Sequence, residues 1–215
     1  MDELGPLRTA AAEAGIEVHE IDSLELSRLL PPGSRDQGVV LEAGPLPEIA
    51  LEALAETRGT LVALDGVEDP QNLGSIVRVA EAAGARGLIL TERRAPDLSP
   101  AVAKASAGAV EWLPICRVVN LLRCLKQLKN RGFWIYGAAS DGEIDVLGAD
   151  PDRLPGPRVL VLGAEGRGLR RTIREALDFE LGIPMAGQVA SLNVASAGAV
   201  LLFALRRWEI LARSQ

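Results

Sequence analysis

The chain of 215 residues contains few of the residues on which several common kinds of functional site depend. It has one histidine, His19, and two cysteines, Cys116 and Cys124. This inventory excludes a zinc site of histidine and cysteine ligands and a disulfide framework. His19 lies in an apolar segment, far along the chain from the polar loops, which argues against a Ser-His-Asp triad. We therefore expect no metal site.

Aromatic residues are also scarce, with 3 Phe, 3 Trp and 1 Tyr, so we do not expect a surface that binds nucleic acid by stacking many bases. The net charge of −6 also argues against a nucleic-acid partner, but its distribution is uneven. Of the 23 basic and 29 acidic residues, 4 basic and 12 acidic ones lie within residues 1–60. The rest of the chain is therefore nearly neutral, which weakens the argument from net charge against a nucleic-acid partner.

Charge is absent from one long stretch, Ile183 to Leu205, whose 23 positions are about the length that spans a bilayer. Pro184, Gly187 and Asn193 interrupt its first half, so a strand, a loop and a buried helix are the better interpretation. The first residues of the chain are acidic and lack the apolar core of a signal peptide. We therefore expect a cytoplasmic protein without a membrane segment.

From residue 60 onward, apolar segments bounded by glycine and proline alternate with segments of helical period. The predicted strands are Thr60–Leu64, Gly87–Leu90, Phe133–Ala138, Arg158–Leu162 and Phe179–Ile183. The predicted helices are Leu73–Ala83, Ala101–Ala107, Val119–Asn130, Arg170–Leu177 and Ser191–Trp208. This α/β alternation predicts a mostly parallel sheet with helices on both faces, which binds ligands at the carboxyl ends of its strands.

Residues 1–43 have a different pattern, which predicts part of a small α/β unit. Its predicted elements are a helix through Ala10–Ala14, a strand Ile16–Ile21, a helix Leu24–Leu30 and an extended segment Val39–Leu41. One glycine and two prolines follow, so residues 44–59 are predicted to be a linker with a helical turn near Ile49–Glu56. We thus expect the main domain to comprise residues 60–215.

The first segment that could carry chemistry follows the first predicted strand, where a turn containing a proline leads into a helix. Asn72 is predicted to cap this helix, and Gly74 would let an anion or a ribose approach the backbone N–H groups of its first turn. Arg78 follows one to two turns later. In the alternative interpretation, Asn72 only caps the helix and Arg78 pairs with Glu68 or Glu81.

The second segment follows Leu162 and contains three glycines and one carboxylate: Gly163, Gly166, Gly168 and Glu165. A loop of this composition can surround a ligand with its backbone. It has neither the G-x-G-x-x-G pattern of dinucleotide-binding proteins nor the Lys-Ser/Thr ending of a phosphate-binding loop. Alternatively, Glu165 caps a helix or forms a salt bridge with a nearby arginine. The arginines of the following helix face solvent or contact phosphate.

The third segment runs over Ile183–Ala199. Ser191 is predicted to cap the last helix, which would place Asn193 in the first turn of that helix. A polar amide in so apolar a segment requires a specific hydrogen-bond partner. Tight packing in the core or at a dimer interface explains the small residues from Ala195 to Ala199, but it does not explain Asn193.

In this order and spacing, the three segments resemble the SpoU family (also called the TrmH family) of RNA ribose 2'-O-methyltransferases within the SPOUT superfamily. The matching patterns are D-P-x-N-x-G-x-x-x-R from Asp69, L-G-x-E-x-x-G-L from Leu162 and I-P-M-x-G-x-x-x-S-L-N-V from Ile183. The resemblance covers about residues 60–210. The intervening Ala105-Ser106-Ala107-Gly108-Ala109 and Asn120-Leu121 look most like the branch that methylates a guanosine ribose in bacterial large-subunit ribosomal RNA.

The resemblance implies a parallel sheet whose C-terminal segment threads through a loop as a deep trefoil knot, a homodimer, and S-adenosyl-L-methionine as methyl donor. It implies five catalytic residues around the transferred methyl: Asn72, Arg78, Glu165, Ser191 and Asn193. It implies six cofactor-binding residues: Leu162, Gly163, Gly168, Ile183, Met185 and Leu192. Residues 1–43 are similar to part of the family's N-terminal RNA substrate-binding domain.

The implied function is transfer of a methyl group to a ribose 2'-hydroxyl, in guanosine of large-subunit ribosomal RNA. Three alternatives stay open: methylation of transfer RNA, a noncatalytic RNA- or ribosome-binding homodimer, and a nucleotide-binding α/β protein. In the family Arg78 is the favoured proton acceptor, but arginine stays protonated at neutral pH and is a poor base. We expect Arg78 instead to hold the adjacent phosphate and stabilise the developing alkoxide, while the proton leaves through phosphate, water or Glu165.

Overall fold

The structure, a computed structural model, describes residues 4–30, 37–150 and 154–213. The chain divides into two compact units, residues 1–44 and residues 45–215. In the described ranges, no helix is both long and apolar enough to cross a membrane. The uncharged stretch from Ile183 forms a loop and then a helix, as the sequence predicts.

The first unit contains two helices, α1 (Gly5–Glu13) and α2 (Ser23–Arg28), and neither helix buries a side chain. The predicted strand Ile16–Ile21 is wrong, and the extended segment Val39–Leu41 forms no strand either. The apolar alternation of Ile16–Ile21 fits a strand, but a strand also requires a neighbour with which to hydrogen-bond. The described residues of this unit supply no such neighbour, so it has no small α/β sheet there.

The second unit is built on a seven-stranded sheet in which every strand pairing is parallel. Its strands are β1 (Thr60–Asp65), β2 (Gly87–Thr91), β3 (Ile115–Val118), β4 (Trp134–Ala138), β5 (Ile144–Asp145), β6 (Arg158–Gly163) and β7 (Phe179–Gly182). Their order across the sheet is β3-β2-β1-β6-β4-β7-β5. The five predicted strands are confirmed, whereas β3 and β5 were not predicted.

Helices connect these strands and cover both faces of the sheet. They are α3 (Leu51–Ala55), α4 (Pro70–Ala82), α5 (Pro100–Ala105), α6 (Leu121–Asn130), α7 (Arg171–Arg174) and α8 (Val194–Arg213), with a short 3-10 helix at Ala109–Glu111. Because side chains alternate along a strand, Val62 and Leu64 of β1 join the core beneath α4 and α8, while Leu61 and Ala63 join the core beneath α3 and α6. The predicted two-sided architecture is confirmed.

Residues 45–59, interpreted from the sequence as a linker, pack as part of the second unit. The backbone N–H of Ile49 donates to the carbonyl of Ile115 at 2.8 Å, beside the edge strand β3. Leu54 of α3 is fully buried, and its side chain fills the space over Gly87 of β2, where an added Cβ would lie 2.2 Å from it. These contacts tie the segment to the sheet that positions the candidate site.

Candidate active site

A cavity of about 490 Å³ lies at the carboxyl ends of β4, β6 and β7. Ligand pockets in proteins commonly measure about 300–1,000 Å³, and parallel sheets place them at this edge. Its walls are the loops that follow these strands, Ala138–Asp141, Gly163–Leu169 and the segment from Ile183 to Asn193. Three loops distant in sequence therefore surround one space.

All six predicted cofactor-binding residues line this cavity: Leu162, Gly163, Gly168, Ile183, Met185 and Leu192. Three of the predicted catalytic residues, Glu165, Ser191 and Asn193, line it as well. Leu162 is buried and contributes apolar surface to the cavity, whereas Met185 and Leu192 are partly exposed. The fold thus brings the two predicted sets together, although their roles stay predictions.

The loop from Gly163 to Leu169 turns back on itself within a few residues. The N–H of Gly168 donates to the carbonyl of Ala164 at 2.8 Å, and the N–H of Arg167 donates to that of Glu165 at 2.9 Å. A Cβ at Gly163 would lie 2.3 Å from the carbonyl carbon of Gly168. This approach of backbone to backbone requires glycine, and it leaves Glu165 at the tip of the loop.

Asn193 is the centre of the polar group. Its Nδ2 donates to Oδ1 of Asn72 at 2.9 Å and also donates to Oε1 of Glu165. Its Oδ1 accepts the N–H groups of Ala195 at 2.9 Å and Ser196 at 3.3 Å, so Asn193 caps α8. The predicted cap, Ser191, is therefore wrong. The partner that the sequence required for Asn193 is the pair of Asn72 and Glu165.

Asn72 does not cap α4. Asp69 does, because its carboxylate accepts the N–H of Gln71 at 3.0 Å, and Asn72 lies within the first turn, 9% exposed.

Gly74 also differs from its predicted role, since a Cβ there would lie 2.4 Å from the Cβ of Ala105. The absence of a side chain lets α5 pack closely against α4 and does not clear space for a ligand.

Arg78 is not hydrogen-bonded to Asn72, Asn193 or Glu165. It is exposed on α4, does not line the cavity, and forms no ion pair with any residue in the described ranges. The alternative pairing with Glu68 or Glu81 is therefore not observed. The alternative roles for Glu165 are not observed either: it caps no described helix and forms no salt bridge with Arg167 or Arg170, and its carboxylate accepts from Asn193 instead.

The arginines after the second loop are mostly paired with carboxylates. Arg170 pairs with Asp65 and Arg171 with Glu175, while Arg174 pairs with both Glu180 and Asp141. Hydrogen bonds from Arg174 lower the pKa of Asp141, and those with Glu180 and Asp141 raise the pKa of Arg174. The Arg171 side chain is 86% exposed, which agrees with the predicted solvated face, and contact of these arginines with phosphate stays a prediction.

Sequence reasoning missed the cavity wall formed by Ala138, Ala139, Ser140 and Asp141, and it named Arg174 only among the arginines that face solvent or contact phosphate, not as part of the cavity lining. The one available signal was positional, since the wall follows a predicted strand at its carboxyl end. The described residues contain no group of three or more His, Cys, Asp or Glu side chains that could hold a metal ion.

Solved structures with a similar fold define the class of the protein. An SpoU methyltransferase from Streptomyces viridochromogenes, AviRb in complex with AdoMet, is 31% identical with a TM-score of 0.68, and the match covers 77% of this chain and 66% of that one. An AdoMet-bound rRNA methyltransferase from Sinorhizobium meliloti is 29% identical with a TM-score of 0.74, covering 95% and 77%. The fold is that of RNA methyltransferases.

The family follows from the sequence of the second unit. Residues 59–203 match the model of the SpoU rRNA Methylase family, and the chain belongs to this family. A relative from Pseudomonas putida, named 23S rRNA (guanosine-2'-O-)-methyltransferase RlmB, is 40% identical over 214 residues, which covers 96% of this chain and 84% of the relative. A relative of the same name from Ralstonia nicotianae is 44% identical over 199 residues, covering 90% and 78%. The predicted family is confirmed.

Proposed function

We propose that the chain transfers a methyl group from S-adenosyl-L-methionine to the 2'-hydroxyl of a guanosine in large-subunit ribosomal RNA. The observation that carries this proposal is the hydrogen-bonded group of Asn72, Asn193 and Glu165 at a cavity lined by the predicted cofactor residues. The relatives named 23S rRNA (guanosine-2'-O-)-methyltransferase, similar over nearly the whole chain, support the choice of RNA and nucleoside.

The cavity fits the methyl donor in size and in chemistry. Backbone N–H and C=O groups of the glycine-rich loop can bind the edge of an adenine, and Leu162 and Ile183 offer apolar surface to its ring. When bound, S-adenosyl-L-methionine supplies an electrophilic methyl carbon. The remaining tasks of the protein are to align the ribose oxygen and to dispose of its proton.

Asn193, whose Nδ2 also donates to Asn72, holds the Glu165 carboxylate in place. Because Asn193 is fixed as the cap of α8, its Nδ2 points in one direction, and Glu165 accepts from it at the rim of the cavity. The Glu165 carboxylate is exposed and has a second oxygen with which to accept the hydrogen bond of a ribose hydroxyl. Glu165, directly or through water, is therefore a route for the departing proton, and RNA phosphate is another.

In our proposal, Arg78 binds the RNA backbone beside the group of Asn72, Asn193 and Glu165. Its guanidinium is exposed and has no ionic partner among the described residues, so it can hold a phosphate next to the target ribose and stabilise the developing alkoxide. A lysine there would offer a point charge in place of a planar fork of donors. We therefore expect Arg78→Lys to slow single-turnover methyl transfer about tenfold.

The matched control for this variant is Arg86→Lys. Arg86 is also exposed, but it directly precedes β2 and so lies at the opposite, amino edge of the sheet. The Arg86→Lys variant should retain the single-turnover rate of the unmodified enzyme. Near-normal single-turnover rates in Arg78→Lys would contradict the proposed role of Arg78.

We also propose a homodimer that buries part of α8. Phe203 and Ile210 are 52% and 51% exposed, and a spacing of seven residues places them on one face of this helix. Phe203→Asp would put a charge on that face, so the variant is expected to sediment as a monomer in analytical ultracentrifugation. Trp112→Asp, which changes another exposed aromatic residue, should leave the mass unchanged. A monomeric unmodified protein, or a dimeric Phe203→Asp variant, would refute this interface.

The deep trefoil knot belongs to the proposal as well. The chain passes from β5 at one edge of the sheet to β6 in its middle and then back to β7 between β4 and β5. A C-terminal segment that threads through a loop requires the chain to re-enter the sheet between strands that are already in place, as β7 does here. Tracing the segment from Gly163 to α8 in an experimental electron-density map would decide whether it passes through a loop.

The function is tested by incubating the protein with labelled S-adenosyl-L-methionine and with either ribosomal or transfer RNA. We expect label in large-subunit ribosomal RNA, at one guanosine whose phosphodiester bond resists alkaline hydrolysis because its 2'-oxygen is methylated. Label only in transfer RNA would overturn the proposed substrate. Binding of RNA without any transfer would favour the noncatalytic alternative. The similarity of residues 1–43 to part of the family's RNA substrate-binding domain stays a prediction.

A further inference from the structure

Asp65 is a buried carboxylate that links two of the segments that form the site. It is the last residue of β1, and its side chain is only 1% exposed. Its Oδ2 accepts the backbone N–H of Arg170 at 2.9 Å, and its Oδ1 accepts Nε of the same arginine at 2.5 Å. One carboxylate therefore binds the main chain and the side chain of a single residue, 105 positions away.

The position of Asp65 in the sheet makes this contact specific to the second loop. Asp65 lies opposite Gly163 in the parallel pairing of β1 with β6, and Gly163 is the residue at which the chain enters the loop. Arg170 directly follows the last loop residue, Leu169. Asp65 thus lies beside the entry of the loop and holds its exit, and Glu165 is at the tip between these two points.

The backbone of Asp65 also leads directly into the first segment. From Asp65 the chain runs through a turn to Asp69, the cap of α4, and Asn72 lies in the first turn of that helix. Asn72 and Glu165 both contact Nδ2 of Asn193. The two acceptors that must converge on one amide are therefore carried by segments joined at the same aspartate.

We propose that Asp65 and Arg170 are positioning residues, which hold the Glu165 loop at the distance from Asn72 that lets Asn193 bind both. The inference rests on the proposed methyltransferase function. Arg170 is 44% exposed at its side chain, so its charge stays partly hydrated, whereas the buried Asp65 depends on it. A charge-assisted pair with two convergent bonds restricts the loop more than a neutral contact would. Neither residue lines the cavity itself, so both act on it only by holding the loop that does.

The test compares two variants of this pair with a variant of a matched ion pair elsewhere. In Asp65→Asn the negative charge is lost and only one oxygen remains, so the amide N–H2 must face one of the two Arg170 donors, Nε–H or the backbone N–H, donor against donor. Arg170→Lys keeps the backbone bond and a positive charge. The control is Asp178→Asn, because Asp178 also accepts both a backbone N–H, from Ile135 at 2.8 Å, and a cation, Lys129 at 2.7 Å. Asp178 directly precedes β7, at the amino edge of the sheet.

For each protein we would measure the melting temperature, the calorimetric Kd for S-adenosyl-L-methionine and the single-turnover rate of methyl transfer to ribosomal RNA. In Asp65→Asn we expect the Kd to rise about tenfold and the rate to fall about 10–100-fold, since misplacing a reacting group by about 1 Å has effects of this size. Arg170→Lys should lie between this variant and the unmodified enzyme. Asp178→Asn should lower the melting temperature but change the rate by less than about twofold.

Unchanged Kd and rate in a folded Asp65→Asn protein would overturn the inference, as would an equal loss of rate in Asp178→Asn. If Asp65→Asn fails to fold, the same measurements on Arg170→Lys and Arg170→Gln test the inference. These variants are expected to fold, because Arg170 is partly exposed and its backbone N–H can still donate to Asp65 after substitution. Failure of the proposed function is distinguishable: an unmodified protein that binds S-adenosyl-L-methionine but methylates no RNA would refute that function. The Kd comparison would still test the positioning role.

Discussion

Replacing Asn193 by aspartate is expected to slow methyl transfer about 10²–10³-fold while α8 stays folded. Aspartate keeps the oxygen that accepts the N–H groups of Ala195 and Ser196, so the cap of α8 survives. It replaces the amide N–H2, however, by a second carboxylate oxygen. Asn72 and Glu165 then lose their common donor, and two negative charges lie side by side. Single-turnover transfer of labelled methyl and the melting temperature measure the two effects separately.

The matched control is Asn120→Asp at the start of α6. Asn120 caps that helix in the same way, since its side chain accepts the N–H of Arg123 at 3.0 Å, but it does not line the cavity. This variant should transfer methyl at the unmodified rate. Asn193→Ala, which also loses the cap oxygen, should in addition lose about 1 kcal/mol of stability. A normal rate in Asn193→Asp would refute the proposal that this hydrogen-bonded group performs the chemistry.

The sequence predicts the centre of the sheet well because burial on both faces leaves a local signature. β1, β2 and β6 are short, continuous apolar runs bounded by glycine, proline or charge, and they are buried along their length. β3, by contrast, is a four-residue strand at the edge of the sheet with the polar Arg117 in it, and β5 has two residues. Such strands are defined mainly by their neighbours, so their own residues carry little signal.

The false strand at Ile16–Ile21 shows the reverse error. Alternating apolar residues describe a segment that could pair, whereas pairing depends on a second segment that the local pattern does not contain. The cap of α4 was recoverable, because Pro70 at the first helical position indicates Asp69 as the cap. Asn72 has an equally suitable side chain, so residue type alone does not distinguish the two positions.

The contents of the candidate site were predictable, but the bonds within it were not. The three motifs identified Glu165 and Asn193, yet the bond from Asn193 to Asn72 spans 121 positions and exists only because α4 and α8 pack on the same face of the sheet. The pairing of Asp65 with Arg170 is equally remote. An isolated aspartate at the end of a strand looks like an ordinary turn residue until its partner is placed beside it.

A single added methyl group at Gly163 is expected to weaken the binding of S-adenosyl-L-methionine about 100-fold. A Cβ there would lie 2.3 Å from the carbonyl carbon of Gly168 and 2.5 Å from the backbone nitrogen of Leu169. Backbone atoms cannot rotate away as the end of a side chain can, so the loop must open. Overpacking costs about 1–3 kcal/mol, and about 1.4 kcal/mol corresponds to a tenfold change in Kd.

Isothermal titration calorimetry with S-adenosyl-L-methionine alone checks this expectation without any choice of RNA. Gly44→Ala is the matched control, since it makes the same chemical change at a residue that does not line the cavity, with no atom within 4 Å of the added Cβ. Its Kd should stay within about twofold of the unmodified value. Because Gly163 enters the loop that carries Glu165, a Gly163→Ala protein with unchanged Kd would show that this loop does not form the wall of the cofactor site.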